Sequence, residues 1–238
     1  MKIAIFGDSF AANNPRNPTA SWMDLLSEIH DVKNFAEQAS SLFYSVDQFL
    51  KNHHDFDKII FVVTDVNRIY LPDHTTKELN RHQAGLPSIE RQLFQLSQLK
   101  KYNDKDLQKL KILTAVKDYF QYIQNDDYNS YVYNLMIKDI LDKRPDAVLI
   151  PACSVSYTTY NFYKGKSNMK DISFKELDGW NLDINWAQTA DYRHAHMSAE
   201  NNAIFFRNVL KWLSGEEVNI DIDEYVQPPF RTFYITSL

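Results

Sequence analysis

The sequence predicts an α/β fold: three layers, with a parallel sheet sandwiched between helices. Two observations carry this. Four short apolar runs lack the in-out alternation of a half-exposed strand, so they read as strands buried on both faces. Segments with helical spacing of apolar residues separate them, and strand-helix alternation implies an open parallel sheet.

The elements follow in chain order. Residues 3–6 form the first apolar run and end at Gly7. Residues 21–29 place Trp22, Leu25, Leu26 and Ile29 at helical spacing. A weaker strand lies around 32–36. Residues 41–50 repeat the helical pattern with Leu42, Val46, Phe49 and Leu50. The run Ile59-Ile60-Phe61-Val62-Val63 is the third strand. Two longer amphipathic stretches cover 107–123 and 128–141. A fourth strand, 147–150, follows Pro145. Residues 201–213 form the last helix, with Ile204, Phe205, Val209 and Trp212 on one face, Ser198 as N-cap and Gly215 past its end. Residues 68–105 and 154–190 read as excursions from a single domain spanning 1–215, and loops of that length are usually functional or partly disordered. Residues 216–238, with Pro228-Pro229, read as an extended C-terminal extension packed along the domain.

Composition narrows the function. The net charge is -5 and no dense basic cluster occurs, so nucleic acid is not an expected partner. The Lys-rich stretch 100–111 is interrupted by Asp104 and Asp106 and reads as a solvated helix surface. Only 5 glycines are present, too few for a phosphate-wrapping loop at residues 7–14. The single cysteine, Cys153, has no internal partner and reads as a buried structural thiol. The apolar run at the start is shorter than a secretory signal or a membrane span requires. The expectation is a soluble protein, cytoplasmic or virion-associated, with no membrane partner.

Two segments carry chemistry. Gly7-Asp8-Ser9-Phe10 follows a buried strand directly, and in parallel sheets the ligand crevice lies beyond the strands' carboxyl ends. A serine there has an exposed hydroxyl and neighbouring backbone N–H groups, the nucleophile and oxyanion donors of acyl transfer. A capping turn made by Asp8 and Ser9 is the alternative. The nucleophile elbow Gly-x-Ser-x-Gly is absent. The second segment is Asp191-Tyr192-Arg193-His194-Ala195-His196-Met197-Ser198, just before the last helix. A serine nucleophile needs an imidazole to take its proton and a group to orient that ring.

Together these segments resemble the GDSL/SGNH hydrolase family. Residues 3–10 resemble its first block. His196-Met197-Ser198, followed by Asn201-Asn202 and an apolar helix, is similar to its last. The resemblance covers roughly 1–67 and 146–213. It implies a flavodoxin-like fold, no metal and no cofactor. By this resemblance Ser9 is the nucleophile and His196 the base, and Ser9 N–H, a Gly N–H and an Asn side chain form the oxyanion hole.

In the block 34–41, Ala39 stands at the glycine position and keeps the backbone donor. In Thr64-Asp65-Val66-Asn67-Arg68, the resemblance makes Asn67 the side-chain donor, with an ordinary turn residue as the alternative, while Arg68 stands where the pattern has an acid. Arg193 stands three residues before His196, where the pattern has its acid, so the resemblance leaves Asp191 as the candidate triad acid, with a backbone carbonyl as the other means of orienting His196. His194 is the alternative base, because Asp191 lies three residues before it. The implied substrate is a small acyl ester, with O-acetyl carbohydrate as one class. Tyr157, Tyr160, Phe162, Tyr163, Trp180 and Trp186 either pack an excursion or stack on sugar rings. The departures at Ala39, Arg68 and Arg193 leave a catalytically inactive binding or structural module as the alternative. The Gly-poor, Asn-, Lys- and Tyr-rich chain also resembles divergent bacteriophage members of the family. Oligomeric state is not legible.

Overall fold

A computed structural model describes residues 1–13, 21–38, 40–65, 68–70, 86–152, 197–216 and 224–225. It contains the α/β class and parallel sheet expected from the sequence. Four strands, β1 (Lys2–Phe6), β2 (Asp31–Asn34), β3 (Lys58–Val63) and β4 (Val148–Pro151), lie in the order β2-β1-β3-β4. Every pairing is parallel, with Ile3 opposite Val32 and Lys58, Phe6 opposite Phe61, and Val62 opposite Ile150.

The continuous apolar runs fall on the inner strands. Ile3 to Phe6 and Ile59 to Val63 are fully buried. Strand side chains alternate between faces, so burial of the whole run means that both faces are covered. On one face Ala4, Phe6, Ile59, Phe61 and Val63 meet Leu42, Val46 and Phe49 of α2 (Leu42–Asn52) and Tyr133, Ile137 and Ile140 of α5 (Asp126–Lys143). Phe6 is central: it stacks on Phe35 at 5.1 Å and meets the edge of Phe49 at 5.7 Å. Burying one such ring contributes about 1.5–3 kcal/mol. The edge strand β2 is only half-buried, which is why its apolar signal is weak.

Capping side chains explain several helix starts. Ser41 accepts a hydrogen bond from Tyr44 N–H at α2. Asn103 and Asp106 form a reciprocal capping box at α4 (Asp104–Asp118). The amphipathic stretch expected at 107–123 divides here, because residues Tyr119–Ile123 widen into a π-helical turn. A further helix, α3 (Leu86–Ser97), lies inside the expected excursion 68–105. It packs on α4 through Ile89, Leu96, Leu113 and Val116.

The chain forms two compact units. One holds the sheet and α2 to α5. The other holds α1 (Trp22–Ser27) and α6 (Ala199–Leu213). In the second unit Trp22 meets the edge of Phe205 at 5.5 Å, and its backbone N–H donates to Asn202 Oδ1 at 2.9 Å. Ser198 caps α6 by accepting from Asn201 N–H at 3.1 Å. Asn202 Nδ2 donates to the carbonyls of Met197 and Ser198. Asn208 Nδ2 donates to the buried Tyr225 hydroxyl at 3.0 Å. Gly215 ends α6 with a positive φ of 90°. No helix among the described residues is long and apolar enough to cross a membrane.

Candidate active site

The strand order locates the crevice. The chain leaves β1 for β2 on one side, then crosses to β3 on the other. In such sheets ligands bind beyond the carboxyl ends of the two strands where the winding reverses, here β1 and β3. Gly7-Asp8-Ser9 leaves β1 at that point, and Thr64-Asp65 leaves β3 beside it.

Gly7 begins the turn because nothing larger fits. Its φ is 151°, and a Cβ there would lie 2.7 Å from the Val62 Cβ and 3.0 Å from the Val62 carbonyl oxygen. Asp8 then organises the rest of the turn. Its carbonyl accepts from Ala11 N–H at 2.9 Å and Ala12 N–H at 2.8 Å. Its side chain is fully buried. Oδ1 accepts from Phe10 N–H at 3.0 Å. Oδ2 accepts from the Thr64 hydroxyl at 2.6 Å and from Arg68 Nη1 at 2.8 Å. A buried carboxylate is tolerable only when paired and hydrogen-bonded, and both conditions hold. Ser9 sits half-buried in the turn that Asp8 holds.

The loop after β2 is tied to the same turn. Ser40 Oγ and Glu37 N–H both donate to the Gly7 carbonyl, at 3.0 and 3.1 Å. Arg68 Nη1 also donates to the Ser40 carbonyl at 3.2 Å. Asn34 Nδ2 donates to the Ala11 carbonyl at 2.6 Å, and Asn34 Oδ1 accepts from Ala36 N–H. The Tyr133 hydroxyl of α5 fixes β3's end by donating to the Thr64 carbonyl at 2.6 Å.

Among the site residues expected from sequence, Ser9 lies within the described residues. Ala39, Asn67, Asp191, His194 and His196 lie outside them, as do Cys153 and the aromatic residues of 157–186. The sequence reading missed the Asp8–Thr64–Arg68–Ser40 network. A signal for it was present: an acid after one inner strand and a lone arginine after its neighbour. Arg68, which departs from the family pattern, is the charge partner of Asp8.

A second concavity, of about 380 Å³, is lined by Leu50, His53, His54, Lys143 and Arg144. It lies where α2 and α5 end. Its cations are already engaged. Arg144 donates to the carbonyls of His53, Phe56 and Asp57 and pairs with Asp146, while Lys143 pairs with Asp139.

Comparisons with known proteins gave three sets of findings. No family model matches the chain. No curated protein matches it. Among solved structures it is similar to a protein assigned to the G-D-S-L lipolytic family from Desulfitobacterium hafniense, at 12% identity and a TM-score of 0.36, over 89% of this chain and 98% of that one. It is also similar to TesA, at 10% identity and a TM-score of 0.35, over 90% and 99%. A third is the psychrotrophic esterase EstA from Pseudoalteromonas sp., at 12% identity and a TM-score of 0.34, over 90% and 98%.

Proposed function

We propose that this protein is a serine ester hydrolase of the SGNH type, with Ser9 as nucleophile. The observation that carries the reading is the position of Gly7-Asp8-Ser9 at the carboxyl end of β1, where the sheet winding reverses. A hydroxyl there lies at the sheet's natural ligand crevice, and the buried Asp8 holds its turn.

In the proposed reaction Ser9 Oγ attacks the acyl carbon of a small ester. His196 takes the hydroxyl proton, and Asp191 orients the imidazole. Negative charge develops on the former carbonyl oxygen, and Ser9 N–H, Ala39 N–H and the Asn67 side chain donate to it. The intermediate collapses, and the leaving alcohol departs with the proton from His196. Water, deprotonated by the same base, then cleaves the acyl-serine and returns the free hydroxyl. The scheme needs no cofactor. O-acetyl groups on carbohydrate are the substrate class to test first, since residues 157–186 are rich in aromatics suited to stacking on sugar rings.

A fluorophosphonate probe followed by peptide mapping tests the assignment. Labelling should fall on Ser9, and Ser9→Ala should abolish both labelling and p-nitrophenyl acetate hydrolysis, since loss of a triad member removes orders of magnitude in rate. Unchanged turnover in Ser9→Ala overturns the reading. A wild-type protein that neither labels nor turns over ester favours the non-catalytic module instead, for which the substitution pattern at Ala39 and Arg68 is the motive.

A further inference from the structure

The geometry points to Arg68 as a positioning residue for the Ser9 reaction, acting through its ion pair with the buried Asp8; the inference rests on the hydrolase reading above. Three loops meet at this pair. Asp8 follows β1, Ser40 follows β2, and Thr64 and Arg68 follow β3. One guanidinium nitrogen, Arg68 Nη1, touches the first at 2.8 Å and the second at 3.2 Å. Ser40 closes the triangle by donating to the Gly7 carbonyl at 3.0 Å. Ser9 and Ala39, whose backbone N–H groups are the proposed oxyanion donors, are the sequence neighbours of Asp8 and Ser40. Arg68 therefore ties together the two backbone segments whose separation sets the width of an oxyanion hole.

Charge gives the pair a second consequence. Acyl transfer at Ser9 creates a negative charge next to a carboxylate that is fully buried. Two negative charges in a water-poor site repel strongly, because the local dielectric is far below that of water. The guanidinium on Asp8 Oδ2 cancels most of that field. Its side chain is 18% exposed, against 0% for Asp8, so the countercharge is itself shielded from solvent. Thr64 also binds Asp8 Oδ2, at 2.6 Å, but it is neutral and contributes orientation without charge. The effect belongs to the reaction's transition state rather than to substrate binding, so it should be read in kcat and not in KM.

The experiment compares wild type, Arg68→Met, Arg68→Ala with and without added guanidinium, and Asp8→Asn/Arg68→Met. The readouts are the rate of fluorophosphonate labelling at Ser9 and the kcat and KM for p-nitrophenyl acetate. In Arg68→Met, labelling and kcat should fall about 10- to 100-fold, the scale expected when a reacting group is misplaced by about 1 Å, with KM unchanged within about twofold. Guanidinium should restore part of the rate to Arg68→Ala, which a merely structural cross-link lost at folding would not allow. Asp8→Asn/Arg68→Met should react faster than Arg68→Met, because the unpaired buried charge is gone. If Arg68→Met does not fold, the guanidinium rescue and the charge-free double variant decide the matter. Labelling of Arg68→Met at the wild-type rate overturns this inference alone, as does failure of both rescue and double variant. An unlabelled wild type overturns the hydrolase reading, and this inference with it.

Discussion

Gly7 shows how one residue fixes the site. It occupies a φ of 151°, and a side chain there would press on Val62, a fully buried residue of β3 that cannot retreat. Strained backbone and an overpacked contact each cost of the order of 1–3 kcal/mol. Gly7→Ala should therefore lower unfolding stability by about 2 kcal/mol or more, measured by urea denaturation, and an unchanged midpoint would refute the steric account. The residues on either side of the reaction were unequally legible. Ser9 stood out because a buried strand runs directly into Gly-Asp-Ser. Arg68 stood out only as a departure from a pattern, because its contact is with Asp8, which is 60 residues away. The proposed base is one of two histidines two positions apart. Met197-Ser198 and α6 follow His196 directly, and Ser198 caps that helix. His196→Ala should abolish ester turnover while His194→Ala keeps most of it. The reverse result makes His194 the base and Asp191, three residues earlier, its natural partner.

At the scale of elements, legibility follows burial. The two inner strands, β1 and β3, have no polar interruption and were read to within one residue at each end. The edge strand β2 alternates exposed and half-buried positions, Asp31-Val32-Lys33-Asn34, and so it looked weak. The start of α6 was legible from its cap, since Ser198 does what a serine before an apolar helix should do. The helix α3 was not. Its apolar residues Ile89 and Leu96 face α4 rather than the sheet. Among the described residues α3 is followed by α4 rather than by a strand, so strand-helix alternation does not mark its place. The π-helical turn at Tyr119–Ile123 was equally hidden, because no residue type announces one extra residue in a helical turn.

The molecule as a whole should carry an acid-sensitive term in its stability, and His53 is its source. His53 closes α2 and is buried, stacked on Phe49 at 4.5 Å, with the tilted ring of His54 at 3.7 Å. Its Nδ1 has no hydrogen-bond partner among the described residues. Burial is the main force holding its pKa below the ordinary histidine value, with His54, Arg144 and Lys143 adding to it and Asp139 opposing. Arg144 cannot turn away to relieve this, because its guanidinium holds the carbonyls of His53, Phe56 and Asp57 and pairs with Asp146. The unfolded chain therefore binds a proton at His53 in a pH range where the folded chain does not. Stability is governed by that difference in bound protons. It should be unaffected by His53 well above about pH 6.5. It should fall as pH drops below that value, until the folded-state pKa is reached. Replacing the imidazole by a ring that cannot titrate, His53→Phe, keeps the stack on Phe49 and removes the proton. Urea midpoints measured from about pH 7.5 down to about pH 5 should then separate the two proteins: the wild type loses more stability on the acid side than His53→Phe does. Parallel curves for the two proteins would mean that His53 is protonated equally in both states, and that its burial in the stack is not retained in solution.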